Sequence, residues 1–326
     1  MHVIILTWWG YLDDPKITNY IQNKCNVKVS YDEYYSNQEF LERWKEQRQN
    51  YDVIIFSDIA YGTVKNQIAL KNSNLHDLAD NYPEFIKKHY IQSNFPNNVV
   101  YFTLSVMGFL WNPQVINLTN NDNMLDVFEK AKSNNIILID DPAEVNNVMQ
   151  LAFRFHETRD TQNIPLLLNT SNMDKLTQAS RVYITNDYSK IYSSKDFAFS
   201  YLWSGDAFYD MKEGKYKYNF MTDKKLSYIC SDLIAQINPK PEAVCVAHVL
   251  AGHEVLNMIQ NSDYYFSPYG DSNQIKDPAF MTFYKRLFSE MPYLSWIEPV
   301  PTNDFGKMEQ EWRWVKLKHN EKDTQS

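Results

Sequence analysis

Blocks of apolar and polar residues alternate along the chain with the spacing of strands and helices. It opens on a short apolar run, Val3-Ile4-Ile5-Leu6, and an amphipathic stretch then leads to a second strand-like patch at 28–31, a β-α-β beginning. Residues 38–48 read as a charged helix with Phe40, Leu41 and Trp44 on one face, and Tyr51-Asp52-Val53-Ile54-Ile55-Phe56 reads as a buried strand. Apolar runs at 99–102, 136–139 and 197–203 repeat the pattern, each followed by a polar or Asp/Pro-containing segment able to start a helix. Strands alternating with helices predict an α/β fold with mostly parallel sheets, and the count fills two lobes. Residues 319–326 are polar and mixed in charge, which reads as a frayed tail.

Composition narrows the class. A length of 326 residues exceeds the usual limit of one core and fits two packed domains, and 44% hydrophobic residues supply ample apolar surface to fold. Forty acidic against 32 basic side chains give a net charge of −8, the wrong sign for binding phosphate backbones, so no nucleic-acid partner is expected. No stretch approaches the ~18 apolar residues of a membrane span, and the apolar start lacks the basic flank and cleavage site of a signal segment. The three cysteines match no zinc spacing, and their odd number leaves at least one unpaired in any disulfide scheme. Only 8 glycines are present, and neither the dinucleotide nor the nucleoside triphosphate loop motif occurs. His253 would need a second ligand at Asn257 to form a zinc helix. No catalytic residue, metal or cofactor is expected.

What remains lies at the strand ends, where open α/β sheets bind their ligands. Thr7-Trp8-Trp9-Gly10-Tyr11 follows the first strand and offers either a stacking wall or a cover for the sheet end. Phe56-Ser57-Asp58 ends the third strand with a hydroxyl and a carboxylate that face a crevice or cap a helix. Asp140-Asp141-Pro142-Ala143-Glu144 is nearly a capping box, although two carboxylates one helical turn apart also suit an ammonium. Trp203-Ser204-Gly205-Asp206 sets a Trp and an acid three apart in the second half, with capping again the alternative.

In this order, these motifs resemble the periplasmic polyamine-binding proteins, the spermidine/putrescine receptors of ABC uptake systems. The likeness spans most of the chain and thins beyond Asn273. It implies a periplasmic-binding-protein-like fold of two lobes, residues 1–104 with 231–274 and 105–230 with 275–326, joined by crossover strands at 99–112 and 226–237. Trp8, Tyr11 and Ser57 match first-lobe contacts of the family, and Asp141, Glu144, Trp203 and Asp206 match those of the second lobe. Asp58 joins the first set as the carboxylate at its strand end. Where the family presents Trp-x-Asp on the second crossover, this chain has Tyr228-Ile229-Cys230-Ser231-Asp232, so Tyr228 and Asp232 are candidates only through a shift. The aromatic that follows the family's Pro-Glu-Ala helix start, here Pro241-Glu242-Ala243, falls on Tyr265, Phe266 or Tyr269, with Tyr265 the candidate carried forward.

The resemblance implies a monomeric periplasmic binding protein, without chemical activity, that closes on putrescine or spermidine between its lobes and delivers it to an ABC permease in the membrane. Two alternatives accompany it. The same fold could serve another organic cation or solute, or, by a further resemblance to thiamine-cleaving enzymes of this fold, Cys230 could be a nucleophile.

Overall fold

A computed structural model describes residues 1–70, 73–153, 166–178, 180–186, 197–214, 217–297 and 302–323. The chain forms two compact units, each discontinuous in sequence: Met1–Ser105 with Ile229–Pro292, and Val106–Tyr228 with Tyr293–Ser326. In chain order the first unit contributes β1 (His2–Trp8), α1 (Pro15–Cys25), β2 (Lys28–Tyr34), α2 (Asn37–Gln47), β3 (Val53–Ser57), α3 (Asp58–Ile68), α4 (Glu84–Ser93) and the first part of β4 (Val99–Trp111). The second unit follows with α5 (Met124–Lys130), β5 (Asn135–Leu138), α6 (Pro142–Phe153), α7 (Thr170–Thr177), β6 (Arg181–Ile184), β7 (Phe197–Trp203), α8 (Ser204–Glu213) and β8 (Asn219–Met221). The chain then returns through β9 (Tyr228–Gln236), α9 (Pro241–Leu250), α10 (His253–Ser262) and α11 (Pro278–Glu290), and α12 (Thr302–Asp323) belongs to the second unit.

In the first unit the sheet runs β2-β1-β3-β9-β4. β1 pairs in parallel with β2 from His2↔Lys28 to Trp8↔Tyr34 and with β3 on its other edge, whereas β9 enters antiparallel to β3 with Ser57 opposite Asp232. Burial of every residue of β3 explains its unbroken apolar run, since a strand covered by helices on both faces has no polar side. Asp14 caps α1 by accepting from the Lys16 amide, and Pro15 occupies its first turn, where a missing N–H costs nothing. A disulfide from Cys25, at the end of α1, to Cys245 in α9 spans 220 positions of sequence with Cα atoms 5.7 Å apart. The sequence left that pairing open.

The second unit pairs β4 antiparallel with β7 from Met107↔Trp203 to Trp111↔Phe199, then β7 with β5 and β5 with β6 in parallel. β8 lies antiparallel along the other edge of β4, so close at Gly108 that a Cβ there would sit 2.7 Å from the Met221 carbonyl. Phe109, Phe128, Phe199 and Tyr201 fill the core beneath, with edge-on and tilted ring centroids 4.8 to 6.5 Å apart.

Two expectations change. Residues 275–292, given to the second lobe by the resemblance, fall in the first unit, because α11 buries Phe280 and Tyr284 against Phe266; the Phe266 and Tyr284 rings meet edge-on at 4.8 Å. The polar end of the chain is not frayed at its start: α12 runs on to Asp323, and His319 is buried. Among the described residues no helix is long and apolar enough to cross a membrane.

Candidate functional site

In the first unit the functional side chains gather where β1, β3 and β4 end and β9 passes by. Gly10, with φ of +84°, takes up a left-handed conformation that reverses the chain after β1 and sets Trp8 and Tyr11 in one turn. Both reach the same acid. The Trp8 indole Nε1 donates to Asp232 Oδ1 at 3.0 Å, the Tyr11 hydroxyl donates to Oδ2 in a short hydrogen bond, and Thr103 Oγ1 donates to Oδ2 at 3.2 Å. Tyr265 stands edge-on to Tyr11 at 5.5 Å, completing an aromatic wall. Burial raises the Asp232 pKa against the pull of these three donors, and burial together with the Asp232 charge holds the Tyr11 phenol well above its usual value, so Tyr11 stays a donor.

A second buried carboxylate is held by the neighbouring residue of β9. Asp58, the first residue of α3, accepts from the Ser231 amide at 2.9 Å and from its hydroxyl at 2.6 Å. Burial pushes the Asp58 carboxyl up to about 7 even though the Ser231 hydroxyl opposes it, and the Asp232 charge adds to the rise. Among the described residues neither Asp58 nor Asp232 forms an ion pair with a basic side chain.

The second unit holds a parallel construction. Trp203, the residue before α8, donates its indole Nε1 to Glu144 Oε1 at 3.1 Å, and the Tyr228 hydroxyl donates to Glu144 Oε2 in a short hydrogen bond. Glu144 lies in the first turn of α6, 1% exposed, while Trp203 remains half-buried. Each unit therefore carries one carboxylate gripped by an indole N–H and a phenol O–H.

The remaining candidates divide. Ser57 caps α3, accepting from the Ile59 amide at 3.3 Å, and Asp141 accepts from the amides of Ala143 and Glu144 at 2.9 and 3.1 Å, which is the capping reading of both. Asp206 sits at the third position of α8, half-buried, and the residue before that helix, Trp203, makes no side-chain capping bond to it. Of the aromatic alternatives, Phe266 is core and Tyr269 donates to the Ala251 carbonyl at 2.7 Å and stacks on His253 at 3.7 Å, leaving Tyr265 in the cluster. Cys230 is buried, with Sγ 3.6 Å from the Ser105 carbonyl. Trp9 turns outward, 59% exposed, and stacks on Tyr35 at 5.6 Å. Thr103 and Ser231 were not foreseen: only the partners that β4 and β9 bring from over 100 positions away give these small hydroxyls a role. Among the described residues no three His, Cys, Asp or Glu side chains gather as a metal site.

Comparison with solved structures decides the fold. The spermidine/putrescine ABC transporter substrate-binding protein PotD from Streptococcus pneumoniae matches with a TM-score of 0.73 at 16% identity, over 98% of this chain and 99% of that one. This chain shares that protein's fold. The TpPotD lipoprotein of Treponema pallidum shares the fold with a TM-score of 0.70 at 14% identity, covering 98% and 99% of the two chains. A GABA receptor shares it equally, with a TM-score of 0.70 at 11% identity over 96% and 97%. No protein-family model matches the chain. A search of curated proteins also gives no match.

Proposed function

We propose that this protein is an extracytoplasmic solute-binding protein that captures a polyamine and hands it to an ABC permease. The observation that carries the reading is the repeated clamp, Trp8–Asp232–Tyr11 in one unit and Trp203–Glu144–Tyr228 in the other. A polyamine is an alkyl chain bearing ammonium groups, so its receptor needs negative oxygens for the charges and aromatic faces for the methylenes. Each clamp supplies both, and the donors fix the carboxylate before the ligand arrives. In this reading each clamp is able to receive an ammonium, with Tyr265 a further contact in the first unit and Asp206 in the second.

Magnitudes require the two kinds of contact together. Four buried methylenes contribute ~3 kcal/mol, hydrogen bonds to charged groups ~1.5 to 3 each, and cation–π contacts ~0.5 to 2 each. Association costs ~4 kcal/mol or more, so micromolar binding, about −8 kcal/mol, needs aromatics and acids alike. The Cys25–Cys245 bridge supports a compartment that keeps disulfides oxidised, as a site outside the cytoplasm does. The spermidine/putrescine name of the pneumococcal relative supports the ligand class, and the GABA receptor marks what must be told apart from it.

A thermal-shift panel tests this reading. Putrescine and spermidine should raise the unfolding midpoint in a concentration-dependent way, while γ-aminobutyrate and thiamine leave it in place. Stabilisation by γ-aminobutyrate or thiamine, with none by either polyamine, would refute it.

A further inference from the structure

We propose that Asp58 and Ser204 are positioning residues, one for each clamp. Each is the first residue of a helix, and each uses its side chain to bind an amide of the neighbouring strand one residue from a clamp member. The inference rests on the reading of the two clamps as solute contacts.

The construction is the same in both units. In the first, β3 and β9 run antiparallel with Ser57 opposite Asp232, so the next pair along would set residue 58 against Ser231. The chain turns into α3 at Asp58, and the strand pairing stops there. The Asp58 carboxylate takes its place: Oδ2 accepts from the Ser231 amide at 2.9 Å and from the Ser231 hydroxyl at 2.6 Å. In the second unit, β7 and β4 run antiparallel with Trp203 opposite Met107, and the next pair would set residue 204 against Val106. The chain turns into α8 at Ser204, and the Val106 amide donates to the Ser204 hydroxyl at 3.1 Å.

Asp58, Ser231, Ser204 and Val106 are all buried, and an amide left unpaired in such a place is costly, so each tie holds its strand firmly. The side chains of Ser231 and Asp232 leave opposite faces of β9, so the first tie acts through the backbone. It fixes the peptide one residue before Asp232, whose carboxylate must meet the Trp8 indole, the Tyr11 hydroxyl and Thr103 at hydrogen-bond distance. The second tie fixes the residue after Trp203, whose indole must meet Glu144. Contacts of that length tolerate little drift of the backbone that carries them. Asp58 therefore serves the solute through β9, without touching it.

The indole N–H resonances of the solute-free protein test this, with those of Trp8 and Trp203 assigned through Trp8→Phe and Trp203→Phe. Asp58→Ala should displace the Trp8 resonance toward that of a free indole and leave Trp203 in place, and Ser204→Ala should do the reverse. Asp58→Asn keeps an oxygen for the Ser231 donors and should hold the Trp8 resonance close to its parent position. Both alanine variants should bind putrescine roughly three- to tenfold more weakly, the worth of the hydrogen bonds removed. Folded alanine variants with both resonances unmoved would overturn the proposal, as would a Trp8 resonance displaced as far by Asn as by Ala. Where an alanine variant fails to fold, hydrogen exchange in the unaltered protein decides: the Ser231 and Val106 amides should exchange as slowly as the ladder amides around them, and fast exchange at either would overturn it. Resonances that move as expected in a protein that binds neither putrescine nor spermidine would refute the proposed function and leave the two ties standing.

Discussion

The Trp8 indole donates to Asp232 across 224 positions of sequence, at 3.0 Å. A hydrogen bond of that reach ties the turn after the first strand to a strand formed after the chain has returned from the second unit, and it fixes one carboxylate oxygen. Trp203 does the same for Glu144 at 3.1 Å. Trp8→Phe and Trp203→Phe keep an aromatic face but remove the donor. Each should weaken putrescine binding by roughly tenfold, the worth of one hydrogen bond to a charged group, with Trp→Ala costing more; an unchanged affinity in both Phe variants would show that the clamps do not organise the ligand.

Removing the charges should cost more than removing the donors. Asp232→Asn and Glu144→Gln preserve shape, and each should lower polyamine affinity at least tenfold, since an ammonium left without its carboxylate is desolvated for nothing. Asp206→Ala, altering a half-buried acid, should also weaken binding tenfold or more. Calorimetric affinities of all three variants within twofold of the parent would contradict the assignment.

Stability of the empty protein should decline as pH rises from about 4 to about 7. Burial raises Asp58 and Glu309 to about 7 and Asp263 to about 6, with the Asp141 charge adding to Glu309 and the Asp13 and Asp14 charges adding to Asp263. In that window the folded chain holds protons that the unfolded chain has already lost, so unfolding is favoured by raising pH, and the trend ends above about 7. Urea unfolding midpoints at pH 5 and 7.5 check the sign. A midpoint higher at pH 7.5 would show that these acids are paired in the folded state.

The Cys25–Cys245 bridge closes a loop of 220 positions between α1 and α9. Chain-entropy reasoning makes the bond worth up to about 5 kcal/mol. Reduction, or Cys25→Ser, should lower the thermal midpoint by several degrees without altering the reduced state of Cys230. A midpoint unaffected by reductant would mean that the two thiols are not joined.

How far the sequence spoke follows from the range of each interaction. The strands at 53–57 and 197–203 and the cap at Asp141 were legible because their signals are local: an apolar run with its flanks, or a side chain and an amide two residues on. Trp8, Tyr11, Glu144 and Trp203 stood out at strand ends, where a parallel sheet exposes its ligand edge. What no local pattern could supply is the register of β9, which sends Tyr228 to Glu144 and Asp232 to Trp8 and Tyr11. The Ser231 hydroxyl on Asp58 and the Cys25–Cys245 pairing were hidden likewise, each depending on partners more than 170 positions distant.

The most direct test is one calorimetric titration of the unaltered protein with spermidine at neutral pH, repeated on the Asp232→Asn, Glu144→Gln double variant. The account predicts saturable one-to-one binding near micromolar or tighter, lost in the double variant while its circular dichroism stays that of the parent. Binding that survives both substitutions, or no binding by the parent at millimolar spermidine, would contradict it.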